Sequence, residues 1–207
     1  MSTDIHGGIE FRHPGVDTEY YDGEPWVAAM DLWPLYDETD YAAFGCLFGV
    51  RNYAGFPPLA PARGLPVDLS TGMRSQLDPS VAAGHLYGAT WVSWAELASM
   101  DLATGPDQFT GRLTWRTKSL PSIVHQQFVS DPWPSEALSA VGVPPADLHN
   151  AKERVDWMTD EVTCTYEPLT VGAVLGPGTH WPHVFAVMKA LAGRFGDDGV
   201  RLVVAFD

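Results

Sequence analysis

Residues 40–70 read DYAAFGCLFGVRNYAGFPPLAPARGLPVDLS and join a helix signal to a long irregular stretch. Asp40 is a favourable N-cap, and the large apolar residues between positions 41 and 48 recur every three or four residues, which predicts a buried helix over 40–50. Four prolines between residues 57 and 66 then exclude a regular helix or a central strand. Long loops inside compact chains are usually functional or disordered. The aromatic and aliphatic residues of this stretch argue against disorder, so we interpret it as the wall of a binding site.

The flanking sequence adds short strands and helices in no repeating order. Strand patterns cover residues 3–12, 85–92, 161–166 and 200–206, with a strand-like or irregular segment at 108–117. Helix patterns cover residues 93–101, 135–141, 147–158 and 181–195. The pair Gly7-Gly8 inside the first strand indicates a bulge or a close backbone approach. This irregular order predicts an α+β fold with a mixed or antiparallel sheet, a few packed helices and long proline-rich loops.

The composition is typical of a globular protein and predicts a single domain over residues 1–207. A chain of 207 residues is long enough to bury one substantial core. No serine-rich, glycine-rich or charged linker divides it. The core is the simplest location for Trp26, Trp33, Trp91, Trp94, Trp115 and Trp157.

The formal net charge of −14, from 12 Lys and Arg against 26 Asp and Glu, limits the classes of partner. Duplex nucleic acid is excluded as a main partner because binding it requires a stripe of basic residues. An acidic surface can instead steer a basic protein into contact. Many proteins are acidic without such a role, so charge alone does not establish this function.

Cysteine usage and the N-terminal sequence predict a cytoplasmic protein. Cys46 and Cys164 lie in apolar contexts and form neither a CxxC motif nor a metal-binding spacing, so buried thiols are expected. Free buried thiols fit a reducing compartment. The first residues lack the features of a signal peptide, and no apolar run approaches the length of a membrane span. No membrane partner is therefore predicted.

Several segments match motifs of a known family: MSTDIHG at the start, WPLYD at 33–37, DYAAFGCLFGVRNYAGF at 40–56, RGLPVDLS at 63–70, TWVSWAEL at 90–97 and VRLVVAFD at 200–207. Through these segments the chain resembles a family of uncharacterised bacteriophage and actinobacterial proteins. Members of that family carry R-N-Y or R-N-F, then R-G-L-P-x-D-x-S, then a histidine-containing segment before a tryptophan. The chain departs from the family's H-S-x-S-W pattern after His85, where it reads HLYGATW. The resemblance implies an accessory or host-manipulating role and no particular reaction.

The first candidate site residues are Arg51, Asn52 and Arg63 in the irregular stretch. Guanidinium groups match the oxygens of phosphates and carboxylates, and two of them so close together are informative in a chain poor in basic residues. We predict that Arg51 and Arg63 hold a small anion and that Asn52 positions it. In the alternative interpretation, the arginines bond loop carbonyls or pair with Asp40 or Asp68 and hold the loop together.

Residues 68–87 supply the candidate catalytic groups. Asp68 and Ser70 either cap a short helical turn or contact the ligand, with Asp68 activating a nucleophile or a water. Ser70 lacks a G-x-S-x-G context, which argues against a serine hydrolase. His85 is the candidate general acid–base, because histidine side chains titrate near neutrality, and Tyr87 lies beside it. The alternative role for His85 is structural.

Two weaker patterns complete the candidate site. Loop-borne Tyr53 or Trp91 could stack on a base. Asp4 and His6 form a D-x-H pattern whose side chains share one face of a strand, as in some divalent-metal sites. No second spaced pair of ligands accompanies them, so neither a metal nor another cofactor is predicted.

Two functional hypotheses of different classes are consistent with these patterns. In the first, a small phage-type accessory protein binds, and with turnover hydrolyses, a nucleotide-like anionic ligand in a pocket built by residues 40–70 and 85–94. In the alternative, an acidic inhibitor or immunity protein covers a basic protein partner. A deep pocket lined by Arg51, Arg63 and His85 would favour the first, and a flat acidic face with exposed aromatic residues the second. No catalytic signature decides whether there is turnover.

Overall fold

The strands form two antiparallel sheets in a computed structural model that describes residues 2–145, 148, 151 and 153–207. The first sheet contains β1 (Ile5–Arg12), β2 (Trp26–Asp31), β3 (Tyr87–Ser93) and β8 (Val200–Phe206), in the order β2-β1-β8-β3. The second contains β4 (Gly111–Thr117), β5 (His125–Val129), β6 (Val155–Met158) and β7 (Val162–Pro168), in the order β5-β4-β7-β6. These sheets and the helices packed on them confirm the predicted α+β class.

Strand β8 lies at the centre of the first sheet because its sequence, VRLVVAF, is apolar apart from one arginine. Every residue of the strand is buried. It pairs antiparallel with β1 on one side and β3 on the other. Gly7 of β1 pairs with Val204, and a Cβ atom at Gly7 would overlap the carbonyl oxygen of Val203. The close backbone approach predicted at the glycine pair is therefore confirmed.

Helices cover both faces of the first sheet. They are α1 (Tyr41–Phe48), α2 (Thr71–Ala82), α3 (Trp94–Ala98) and α6 (Trp181–Phe195). Helices α1 and α6 share a core cluster with the face of β8 that carries Phe206. Helix α2 covers the opposite face, where Met73 and Leu77 pack against Val203 and Ala205. No helix among the described residues is long and apolar enough to cross a bilayer.

The ends of the predicted helices carry the expected capping groups. Asp40 accepts hydrogen bonds from the first backbone N–H groups of α1, and Gly49 ends that helix with a positive φ of 74°. Ser93 and Glu96 form a complete capping box at α3. Gly196 follows α6. Local signals therefore located these three helices correctly.

The second sheet builds a smaller core of its own. Helix α4 (Ser135–Val141) packs on it, and helix α5 (Val171–Leu175) follows β7. The buried members of this core are Leu113, Val129, Ala137, Val141, Leu148, Val162, Cys164 and Tyr166. Helix α5 joins the core of the first sheet and contacts α1. The chain thus returns from the second sheet to the first through α5 and α6.

The helix predicted over 147–158 is wrong at its C-terminal end. Residues 155–158 form strand β6, which pairs with β7 from Val155 to Met158. Half-buried residues alternate there with exposed ones, which is the period of a strand. Residues 147, 149, 150 and 152 lie outside the described residues. Strand β5 was not predicted.

The structure also tests the expectations for Trp33, for the turn after Ser70 and for the two cysteines. Trp33 is 72% exposed, so its predicted place in the core is wrong. The short helical turn expected after Ser70 is the start of α2, a helix of 12 residues. Cys46 and Cys164 are buried free thiols as expected, and burial raises the pKa of Cys46 to about 12.

Candidate functional site

A cavity of about 630 Å³ opens on the face of the first sheet that carries α2. Two tryptophans, two arginines and three carboxylates line it, together with the apolar residues 65–67. We call it the tryptophan cavity after Trp26 and Trp91. It draws on β2, β3 and β8 and on the loop before α2, which are brought together by strand pairing across most of the chain.

Arg201 of β8 lies at the base of the tryptophan cavity, where it links three neighbouring side chains, and it is only 3% exposed. Its Nε donates to Oε2 of the fully buried Glu10 at 2.8 Å, and its Nη1 donates to Oδ1 of Asp68 at 2.8 Å. The guanidinium carbon lies 3.8 Å from the ring centroid of Trp26. The indole N–H of Trp26 donates to the second oxygen of Asp68 at 2.8 Å. The buried positive charge of Arg201 is therefore paired with a carboxylate on each side, Glu10 and Asp68, and its guanidinium packs on an aromatic ring.

Asp68 lies at the edge of this network, with 45% of its side chain exposed. Burial raises the pKa of its carboxyl, but the hydrogen bonds from Arg201 and Trp26 and the charge of Arg201 outweigh that effect and lower the pKa overall. A carboxylate held in its ionised form by structural partners has little capacity to take up a proton. The geometry therefore assigns Asp68 to the ion network and gives no support to the predicted activating role.

Arg63 forms the wall of the tryptophan cavity through bonds within the protein. Its two Nη atoms donate to the two carboxylate oxygens of Glu96 at 3.0 and 2.6 Å. The same atoms donate to the carbonyl oxygens of Trp91 and Leu59, both at 3.2 Å. The guanidinium carbon also lies 5.1 Å from the ring centroid of Trp91. This is the loop-holding role that the sequence left as the alternative.

The ion pair of Glu96 with Arg63 predicts an acid-sensitive contribution to stability. The hydrogen bond from Arg63 is the main cause that lowers the pKa of Glu96 from 4.5 to about 2, helped by bonds from Ser93. Because the folded pKa is depressed, this stabilisation is complete above about pH 4.5 and is lost as the pH falls towards 2. We expect Glu96→Gln to lower the unfolding free energy by about 1 kcal/mol at pH 7, after allowance for solvent screening.

Denaturant unfolding of the wild type and Glu96→Gln at pH 7, 4 and 2.5 checks this expectation. The difference between the two proteins should shrink steadily towards acid pH. Asp107→Asn, at an exposed carboxyl, is the control and should show no comparable trend. A difference that stays constant down to pH 2.5 would contradict the assignment.

Arg51 lies elsewhere and does not share a cavity wall with Arg63. Its Nε donates to the hydroxyl of Thr3 at 3.1 Å, and its Nη1 donates to the phenol of Tyr53 at 3.3 Å. The Thr3 hydroxyl in turn lies 3.1 Å from the phenol oxygen of Tyr87. Arg51 has a positive φ of 49°, so the backbone turns sharply there. The predicted pair of anion-holding arginines is therefore not brought together.

The remaining polar candidates have structural partners or lie on the surface. Asn52 closes its own loop, because its amide donates to the Phe56 carbonyl at 2.7 Å and accepts from the Phe56 N–H at 3.0 Å. Ser70 is buried, caps α2 through the N–H of Met73, and donates its own N–H to Glu10. His85 is exposed in the turn between α2 and β3, outside the tryptophan cavity.

Asp4 and His6 are engaged with the C-terminal residue of the chain. The Nε2 atom of His6 lies 3.2 Å from Asp207, and the Asp4 carboxylate accepts from the Thr39 hydroxyl at 2.8 Å. Within the described ranges, no group of three or more His, Cys, Asp or Glu side chains is arranged to hold a metal ion. The D-x-H pattern accordingly forms part of a surface hydrogen-bond network.

The tryptophan cavity brings together Arg63, Asp68 and Trp91 from the predicted set. Sequence reasoning missed Arg201, Glu10 and the role of Trp26. A detectable signal existed, since Glu10 lies between the apolar Ile9 and Phe11, and Arg201 lies in an otherwise apolar strand. Opposite charges in two buried strands favour an ion pair between them.

A second surface feature lies outside the cavity. Residues 13–50, which we call the acidic segment, contain eight of the 26 carboxylate side chains and none of the 12 Lys and Arg. Tyr20 and Trp33 in this segment are 95% and 72% exposed, and Met30 is 40% exposed. Its carboxylates lie mainly on the surface. Asp17 pairs with Arg12 at 3.0 Å, and Asp37 lies 3.3 Å from Nδ1 of His180. The acidic segment therefore carries exposed carboxylates and exposed large apolar side chains, while residues 42–48 within it are buried in helix α1.

No family model, curated protein or solved structure matches the chain. The resemblance to bacteriophage and actinobacterial proteins therefore stays a prediction.

Proposed function

We propose that the protein binds a basic protein partner through its acidic segment, in the manner of an acidic inhibitor or immunity protein. One observation carries this proposal: more than half of the net charge of −14 lies in 38 residues that also expose Tyr20 and Trp33. Exposed carboxylates and exposed aromatic side chains in one segment combine electrostatic steering with apolar contact area. A tyrosine or tryptophan that exposes most of its surface to solvent is suited to pack on a partner.

A small anionic ligand has weaker support from the tryptophan cavity. Four of the hydrogen bonds of Arg63 go to Glu96 and to two backbone carbonyls, and Arg201 is buried against Glu10 and Asp68. An incoming phosphate would compete with these internal partners. The cavity lining also contains three carboxylates against two guanidinium groups, which disfavours an anion. The cavity fits a structural ion network better than a nucleotide site.

Selection from a displayed library of random peptides tests the proposal with the intact protein as bait. We expect the recovered peptides to be enriched in Lys and Arg relative to the library. The variant Glu19→Gln/Asp22→Asn/Asp31→Asn removes three exposed carboxylates of the acidic segment. It should weaken binding of the selected peptides by about tenfold, with the loss reduced at high salt.

A matched variant separates the acidic segment from net charge. Asp107→Asn/Asp160→Asn/Glu161→Gln removes the same charge from exposed positions outside the segment and should change the affinity by less than about twofold. Equal effects of the two triple variants would contradict a role for the segment. Recovery of peptides without a basic bias would contradict the proposal as a whole.

Calorimetric titration with ATP, a small-anion probe, tests the other hypothesis. We expect no saturable heat of binding. Binding that is abolished by Arg63→Ala or by Arg51→Ala, with folding intact, would favour the nucleotide-like ligand instead. Saturable ATP binding would therefore support a small anionic ligand, whereas enrichment of basic peptides would support a basic protein partner.

A further inference from the structure

The outer edge of β2 is free to pair with another strand. β2 is the terminal strand of the first sheet, and within the described residues no other strand pairs with its second side. Its sequence, WVAAMD, has neither a lysine nor an internal proline, two residues that commonly protect edges. Residues 28–31 are exposed although they belong to the sheet. An open edge of this kind presents unpaired N–H and C=O groups to a partner.

The opposite edge strand of the same sheet, β3, is protected by another part of the chain. The loop before α2 runs along β3, where the Gly64 N–H donates to the Ala89 carbonyl at 2.9 Å. The Arg63 N–H donates to the hydroxyl of Thr90, which itself donates to the Ala60 carbonyl. Edge β3 is thus covered by the chain's own backbone. Edge β2 has only a bulge, at the register shift between Ile9 and Glu10.

Resting on the proposed function, we infer that the basic partner adds an extended segment to the free edge of β2 as a fifth strand. The side chains of Ala28 and Ala29 are small and exposed, so larger side chains of an added strand have room beside them. Helix α2 limits that room on the face of Ala28, where a Cβ at Gly72 would lie 3.2 Å from the Ala28 Cβ. The residues of β2 on either side of the bulge at Ala29 span a partner segment of about six residues, roughly 20 Å long. Main-chain bonds would supply the affinity and side-chain contacts the selectivity.

Charge around the edge selects the partner's chemistry. The strand begins after Glu24 and ends at Asp31, and the preceding turn carries Glu19 and Asp22. Pairing of two β2 edges from two copies of this chain would bring two acidic segments together, so self-association is disfavoured by like-charge repulsion. A segment that alternates Lys or Arg with apolar residues would form backbone hydrogen bonds with the β2 edge and, at the same time, place positive charges near the carboxylates of the acidic segment.

A synthetic peptide, acetyl-Lys-Val-Lys-Val-Lys-Val-amide, provides a defined probe for the full-length protein. Titration followed by NMR should shift the β2 amides, and hydrogen exchange at residues 28–30 should slow when the peptide is bound. The same peptide with every second backbone nitrogen methylated keeps its charge but loses half of its N–H donors. We expect that peptide to bind at least about tenfold more weakly.

Ala29→Lys places a protective lysine on the β2 edge and should lower the affinity of the protein for the unmethylated peptide by about tenfold. Gln126→Lys makes the same charge change on β5, the outer edge of the second sheet, and should change the affinity by less than about twofold. If Ala29→Lys lowers stability, Met30→Lys repeats the test on another exposed residue of the same strand.

The outcomes separate this inference from the proposed function. Equal affinity for the methylated and unmethylated peptides, or equal effects of Ala29→Lys and Gln126→Lys, would overturn strand addition while binding of a basic partner stands. Absence of any binding by basic peptides, here and in the library selection, would overturn both. Dimerisation of the protein that Ala29→Lys abolishes would show that a second copy occupies the edge, which also overturns the inference.

Discussion

Replacement of Arg201 by methionine is expected to lower the free energy of unfolding by about 3–5 kcal/mol, because it leaves a buried carboxylate without its counter-charge. Glu10 has no exposed surface, and its remaining partner is the backbone N–H of Ser70 at 2.9 Å. The substitution also removes the contact with the Trp26 ring at 3.8 Å and the hydrogen bond to Asp68. Urea unfolding followed by tryptophan fluorescence measures the loss.

The double variant Glu10→Met/Arg201→Met distinguishes a missing partner from missing packing. With both charges removed and similar volume kept, we expect at least half of the loss to be recovered, since buried ion pairs are commonly replaceable by apolar residues. The side chain of Asp68 is 45% exposed, so solvent can stabilise its carboxylate when Arg201 is replaced. Arg154→Met is the matched control at an exposed pair with Asp156, where little change is expected. A small effect of Arg201→Met alone would contradict the account of the network.

The parts of the fold that were predicted correctly have strong local signals. Helix α1 begins at a capping aspartate and ends at a glycine, α3 begins with a capping box, and β8 is a continuous apolar run. Each signal lies within a few residues of the element that it defines. Sheet pairing has no such signal, since β1 and β8 meet across almost the whole chain.

The failed helix at residues 147–158 shows how tertiary pairing overrides a helical stripe. Val155 fits the helical spacing, but it also begins an alternation in which Val155 and Trp157 face the core of the second sheet. Pairing with β7 then supplies the backbone hydrogen bonds that a helix would otherwise provide. Four residues contain too few positions to separate a period of 3.6 from a period of two.

The candidate site was predicted only in part for the same reason. Arg63 and Asp68 could be nominated because they lie close together in one conspicuous loop, and Trp91 because an aromatic side chain can stack on a base, although it lies in strand β3. Arg201 contacts Asp68 across a separation of 133 residues and Glu10 across 191. The charges of Glu10 and Arg201 stand out locally in two apolar stretches, but no local pattern shows which residues they contact. The nominated arginines also proved to have partners within the protein, which spacing alone does not show. The acidic segment, by contrast, is visible in the sequence as 38 residues without Lys or Arg.

Gly7→Ala is expected to be the most damaging single substitution in the first sheet, with a loss of more than about 4 kcal/mol. Gly7 has a φ of 140°, which L-residues rarely adopt, and its Cβ would overlap the Val203 carbonyl oxygen and lie 2.9 Å from the Cα of Val204. These are backbone atoms of the central strand, so no side-chain rotation relieves the overlap. Either β1 separates from β8 or the protein fails to fold.

Gly55→Ala separates the two causes because Gly55 shares the positive φ but not the crowding. Its φ is 74°, and no heavy atom lies within 4 Å of a Cβ built there. Only the conformational cost of about 1–2 kcal/mol remains at that position. Thermal and urea unfolding of both variants therefore measure the contribution of close strand approach as a difference. Equal losses at the two positions would mean that β1 and β8 tolerate a wider separation, and the pairing that places Glu10 beside Arg201 would then be less constrained than this geometry requires.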